Sequence, residues 1–163
     1  MKQKSFTAKQ LNVRTEHGGD INLKRRKESR PFNPKLAMHI TMRSKRARGP
    51  LSLARPKNRE LVQKLLWANS NRFKVKVVQF ANSGNHLHLV LKTDQKANLQ
   101  GFLRSFAGVL ARRVTSAERG HGFGRFWDGL AYSRLVKWGR DFENTIRYVV
   151  RNALEGAGLM KFD

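Results

Sequence analysis

Two histidines one residue apart, His86 and His88 in the stretch SGNHLHLVLKT, are the residues of this chain best placed to do chemistry together. In a strand, residues two apart share a face, so the imidazoles stand side by side with Cα atoms about 6.6 Å apart. That spacing suits two rings converging on one metal ion. In RYVVRN, Tyr148 and Asn152 lie four residues apart, one turn apart on one face of a helix, and both can aim at one point. A tyrosine hydroxyl reaches far from its backbone and leaves as a good phenolate. With a free pKa of about 10 it needs an activating charge at neutral pH, which a metal on the phosphate supplies. Asn152 offers a neutral carbonyl oxygen as a third ligand. Each feature also has a plainer reading: two surface histidines that keep one face of a strand polar, and a tyrosine that is an ordinary core aromatic of an amphipathic helix.

These residues need elements to hold them. LAMHITMRS, residues 36–44, has the β-branched and apolar content of a strand. In NRELVQKLLWANSN, Leu61, Val62, Leu65 and Leu66 fall at helical spacing, which predicts a helix from Asn58, as N-cap, to about Asn69. RFKVKVVQFA alternates Phe73, Val75 and Val77 with Lys74 and Lys76, the period of a half-buried strand. The turn signal NSGN then joins it to HLHLVLK in a hairpin, with Leu87, Leu89 and Leu91 facing the core. A second helix follows over 98–115, carried by Leu99, Phe102, Leu103, Phe106 and Leu110. After the glycine-rich ERGHGFGRFWDG come a strand, LAYSRLV, and a last helix that ends near Gly156 or Gly158.

The order β-α-β-β-α-β-α gives an α+β fold whose first six elements match the ferredoxin-like split βαβ plan. One antiparallel sheet is covered by helices on one face, and a C-terminal helix carries Tyr148. Tyr132, among apolar neighbours in its strand, is expected to pack in the core. His121, between glycines, is not expected to be a ligand. His39 takes no role, because its parity within the first strand depends on register.

The 163 residues hold 34 Lys+Arg against 11 Asp+Glu, a net charge of +23, and no cysteine. Disulfides, cysteine-type zinc sites and a thiol nucleophile are therefore excluded. A field of this sign attracts polyanions, and with neither a long apolar run nor a signal-peptide pattern the expected partner is nucleic acid rather than a membrane. Residues 1–34 read as a basic arm and 35–163 as the folded domain. Arg43, Arg46, Arg104, Arg112, Arg113 and Arg125 are candidates for tracking phosphates, each of them also readable as a solvated charge. Trp127 and Trp138 could stack bases or anchor loops.

Taken together, these residues resemble a known family, the single-tyrosine HUH transposases, and within it the IS200-like, REP-associated tyrosine transposases. GNHLHLVL looks like the family's His-hydrophobic-His motif, and MHITMRS like its first strand. GRFWDGLAYSRLV is similar to its Trp-containing segment, and RYVVRN to its nucleophile helix. HGGD and the stretch from RRK to RP look like the leader of one group of relatives. The likeness spans 36–159. It implies a DNA transposase and strand transferase that cleaves and rejoins single-stranded, hairpin- or repeat-bearing DNA through a 5′-phosphotyrosine intermediate. Carried over, Tyr148 is the nucleophile, and His86, His88 and Asn152 hold a divalent metal, Mg2+ or Mn2+. The resemblance also implies a cytoplasmic, nucleoid-associated protein and admits a homodimer. The pattern departs after Asn152, where Ala153 stands instead of the proline of many REP-associated relatives; other single-tyrosine relatives carry glutamine in place of Asn152. Two other readings compete: a basic nucleic-acid-binding protein on the same fold that does not cut, and a ribosome-associated structural protein, which explains the charge but neither the histidine pair nor Tyr148.

Overall fold

The computed structural model describes residues 14–22 and 28–159. Its order is β1 (Glu16–His17), β2 (Ala37–Arg43), α1 (Pro56–Phe73), β3 (Lys76–Asn82), β4 (His86–Lys92), α2 (Lys96–Thr115), β5 (Tyr132–Val136) and α3 (Arg140–Gly156). The five strands form one antiparallel sheet in the order β1-β5-β2-β4-β3. Without β1 this is the split βαβ arrangement that the element order predicts.

The sheet has two covered faces. Met38, Ile40 and Met42 of β2 and Leu87, Leu89 and Leu91 of β4 point to one face, where they meet Val62 and Leu66 of α1 and Leu99, Phe102, Phe106 and Leu110 of α2. Residues of opposite parity, Ala37 of β2, Ala81 of β3, Val90 of β4 and Val136 of β5, form a smaller cluster beneath Val149 of α3. Burial on both faces removes polar alternation from the central strands, so β4 reads as a nearly unbroken apolar run.

Three local expectations are corrected. Helix α1 begins at Pro56, whose missing N–H is no loss in a first turn. Asn58 is therefore inside the helix and is not its N-cap; its side chain donates to the carbonyls of Pro50 and Ser52 and ties down the preceding loop. The same helix runs on to Phe73 and stops at Lys74, which takes the left-handed conformation (φ 51°, ψ 45°). The apparent alternation of Phe73, Val75 and Val77 thus straddles a helix cap, and the strand starts at Lys76.

Part of the 1–34 segment is built into the sheet. Strand β1 pairs Glu16 with Arg134 and His17 with Ser133, so β5 is not an edge strand. Arg30 donates to Ser133 Oγ and to the carbonyl of Ala131. Residues 1–13 and 23–27, which hold the whole KRRK run, lie outside the described residues.

Candidate active site

The register of β2 and β4 assembles the site. His86 pairs with Arg43, His88 with Thr41, and Val90 with His39, so these side chains share the face opposite the leucine core. Helix α3 lies over that face, which is why the histidines are not on open surface. His88 and His39 are 3% and 7% exposed, and Asn152 is 9% exposed. The rings of His86 and His88 stand 4.8 Å apart at 89°. Tyr148 is half exposed, with its ring 5.3 Å from His88 and 5.9 Å from His39. One chain therefore brings Tyr148, both histidines of the pair and Asn152 together.

Hydrogen bonds orient the donor atoms. His86 Nδ1 lies 2.6 Å from Asn85 Oδ1, which as an acceptor selects the tautomer with its lone pair on Nε2. His88 Nδ1 lies 3.2 Å from both His39 Nε2 and Thr41 Oγ1. A proton on that nitrogen leaves Nε2 with the lone pair, and His88 Nε2 is buried with no hydrogen-bond partner among the described residues. Asn152 donates through Nδ2 to the Tyr148 carbonyl at 2.9 Å, so its amide oxygen is the end left to face the imidazoles. Its proximity favours the protonated form of both His86 and His88, but burial outweighs it and lowers both. Burial, reinforced by His86 and His39, pushes His88 down to about 3, and burial together with Arg134 pushes His39 down to about 4. Neutral imidazole is the form that binds metal.

This donor set, two Nε2 lone pairs and one amide oxygen, fits a divalent cation. An orphaned buried nitrogen is the arrangement in which a metal replaces a missing hydrogen bond. Among the described residues no group of three or more His, Cys, Asp or Glu side chains could hold a metal, so a three-ligand set needs Asn152.

Beside these groups lies a cavity of about 660 Å3, lined by His88, Thr41 and Tyr148 together with Arg43, Lys45, Asp128 and Tyr132. Tyr132 is not a core aromatic, as its neighbours suggested. It is half-buried on the cavity wall and donates to Glu16 Oε1 at 2.8 Å; burial and that carboxylate push its hydroxyl up to about 12.

The remaining sequence candidates scatter. Arg43 reaches the Tyr148 cavity, and Arg104 lines a second cavity with it. Arg46 donates to the Phe123 carbonyl and covers the Phe123 ring. Arg112 and Arg113 lie at the C-terminal end of α2, around a separate open depression. Arg125 is an exposed loop residue, and His121, also exposed, bridges to Glu118. Trp127 is an anchor, its indole donating to the Ala107 carbonyl, and Trp138 is half exposed and donates to that of Lys35. Sequence reasoning missed His39, Thr41 and Asn85, which hold the histidine pair. The usable signal for His39 was that Leu36, Met38, Ile40 and Met42 share one parity and leave His39 on the other.

Comparisons with known proteins bear on the family and the fold. A family model described as "Transposase IS200 like" matches residues 33–151. Among solved structures, a REP-associated tyrosine transposase bound to a REP hairpin superposes with a TM-score of 0.60 at 10% identity, over 83% of this chain and 76% of that one. A transposase candidate from Deinococcus radiodurans R1 aligns at 18% identity with a TM-score of 0.48, over 78% of this chain and 98% of that one. No curated protein matches.

Proposed function

The chain belongs to the IS200-like transposase family, and from that premise we propose that it cleaves and rejoins single-stranded, hairpin-bearing DNA with Tyr148 as the nucleophile. The observation that carries this reading is the half-exposed Tyr148 ring 5.3 Å from His88, on the wall of a cavity that Arg43 and Lys45 also line. Tyr148 Oη attacks a phosphodiester phosphorus. The new bond is Oη–P and the broken one is P–O3′. The phenol loses its proton and the departing 3′ oxygen gains one, which leaves a 5′-phosphotyrosine and a free 3′-OH. Rejoining is the reverse attack by a 3′-OH.

His86, His88 and Asn152 are the groups that would hold Mg2+ or Mn2+. A divalent ion there supplies Lewis-acid polarisation of the phosphate. Asn85, Thr41 and His39 engage the Nδ1 atoms of the two imidazoles and leave the Nε2 lone pairs for a ligand. Arg43 and Lys45 place fixed positive charge where the phosphate backbone must pass.

Hairpin-bearing single-stranded DNA, incubated with Mg2+ or Mn2+ and run on a denaturing gel, tests the reading. The parent should give a covalent adduct. Tyr148→Phe should bind DNA with unchanged affinity and give none, while Tyr132→Phe should still form it. An adduct that persists in Tyr148→Phe moves the nucleophile elsewhere. A parent that binds but never forms an adduct is a non-cleaving nucleic-acid-binding protein on this fold.

A further inference from the structure

Two residues that line the Tyr148 cavity, His88 and Asp128, each carry a buried side-chain atom with no hydrogen-bond partner among the described residues. His88 Nε2 belongs to the donor set described above. Asp128 Oδ2 has no such account, and a buried polar atom without a partner needs a reason. The rest of Asp128 is firmly held. Its backbone N–H donates to the Arg43 carbonyl at 2.9 Å, and its Oδ1 accepts from the Lys45 N–H at 2.8 Å. Ser44, between those two residues, donates through Oγ to the Phe126 carbonyl at 2.6 Å. One oxygen thus locks the carboxylate to the segment that follows β2, and the other is left over. Asp20, the other carboxylate on the cavity wall, is exposed to water.

Arg43 and Lys45 line the same cavity and suit a phosphodiester. A carboxylate beside them repels phosphate, so its leftover oxygen calls for a hydrogen-bond donor on the strand. Breaking P–O3′ creates one at the reacting centre, the 3′-OH. We propose that Asp128 Oδ2 binds this hydroxyl and carries its proton. In rejoining, Oδ2 takes the proton as O3′ attacks phosphorus; the O3′–P bond forms, the P–Oη bond to Tyr148 breaks, the phenolate takes a proton from water, and Asp128 afterwards returns its own to water. Cleavage is the reverse: the Asp128 carboxyl gives a proton to the departing O3′, and the phenol proton goes to water. The inference rests on Tyr148 as the nucleophile, because that reaction is what produces a 3′-OH in this cavity.

The test uses the full chain, Mn2+ and two versions of one hairpin-bearing strand, with oxygen or sulfur as the bridging 3′ atom of the scissile phosphate. A sulfur leaving group departs as thiolate without needing a proton, as the thiol pKa of about 8.5 allows. Asp128→Asn keeps an oxygen to accept from Lys45 and removes the carboxylate. It should bind DNA like the parent, form the adduct from the 3′-oxygen strand about a hundredfold more slowly, and form it from the 3′-sulfur strand at the parent's rate. Transfer of a preformed adduct to a strand with a free 3′-OH should slow by the same factor. If Asp128→Asn folds poorly, Asp128→Ser, whose hydroxyl can also accept from Lys45, should give the same pair of results. Parent-like cleavage of the 3′-oxygen strand overturns the assignment and leaves Tyr148 in place. An equal loss on both strands makes Asp128 only a clamp on Lys45 and overturns the proton transfer. A parent that forms no adduct from either strand overturns the Tyr148 reading and this inference with it.

Discussion

His39 and His88 are titratable groups enclosed between a sheet and a helix, and their environment fixes the protonation state in which the site is used. Burial lowers them to about 4 and about 3, against about 6.5 for the same side chains in an unfolded chain. The folded state therefore binds fewer protons, and stability is undiminished above about pH 6.5 and lost as pH falls toward the folded values. Between about pH 7 and about pH 5 the loss is at most about 2 kcal/mol per histidine. Urea midpoints of the metal-free protein should drop over this range, and His39→Gln should show the smaller drop because one titrating group is gone. Equal drops in parent and variant would mean that His39 is not enclosed. The histidine pair was legible from sequence because HLHLVLK is a strand whichever way it is read. His39 was less plain: alternation sets it opposite Met38, Ile40 and Met42, but its place beside His88 comes from the pairing of β2 with β4, a long-range interaction that no local pattern encodes.

Helix α3 carries Tyr148 and Asn152 but is attached by a small patch. Val149, with Phe142, Ile146 and Ala153 around it, rests on Ala37, Ala81, Val90 and Val136. Its first turn is pinned by Arg134, which donates both to Asp141 (2.9 and 3.0 Å) and to Thr145 Oγ1 (2.9 Å). At its other end Gly156 lies so close to the β3–β4 turn that an added Cβ would sit 2.2 Å from the Asn82 carbonyl oxygen. That atom is backbone and cannot step aside. Gly156→Ala should therefore push the end of α3 off the sheet, costing about 1–3 kcal/mol of stability. Adduct formation should fall by more than the fraction unfolded explains. A melting curve and adduct yield equal to the parent's would show that the helix end is free to move. The sequence announced α3 clearly through its spacing. It did not announce which face of the sheet α3 covers, because both faces of β2 and β4 are apolar enough to accept a helix.

At the scale of the whole molecule, the basic surplus and the sheet edge meet in the first residues. Thr15 accepts a hydrogen bond from Leu135 N at 2.9 Å, and β1 covers the strand that begins with Tyr132. From composition, 1–34 reads as an arm that could be removed with little cost to the fold. With β1 in place, a chain starting at residue 35 should expose the backbone edge of β5, and such edges pair with other chains. Its binding to single strands should be less salt-sensitive, by about 0.7 in the logarithmic slope for each phosphate that the shortened chain no longer neutralises. It should also self-associate in sedimentation at concentrations where the parent does not; sedimentation like the parent's would show that β1 is dispensable. A two-residue strand was beyond sequence reading, because Glu16 and His17 have no periodicity to detect. Only three residues, 137–139, separate β5 from α3, so from Val136 to Arg140 the chain can stretch at most about 14 Å. Within this chain α3 packs on its own sheet, and Tyr132, bonded to Glu16, offers no second covalent hook. Under the proposed chemistry each molecule therefore grips one DNA end at a time. Splicing two ends becomes a matter of succession at one site, or of two molecules meeting.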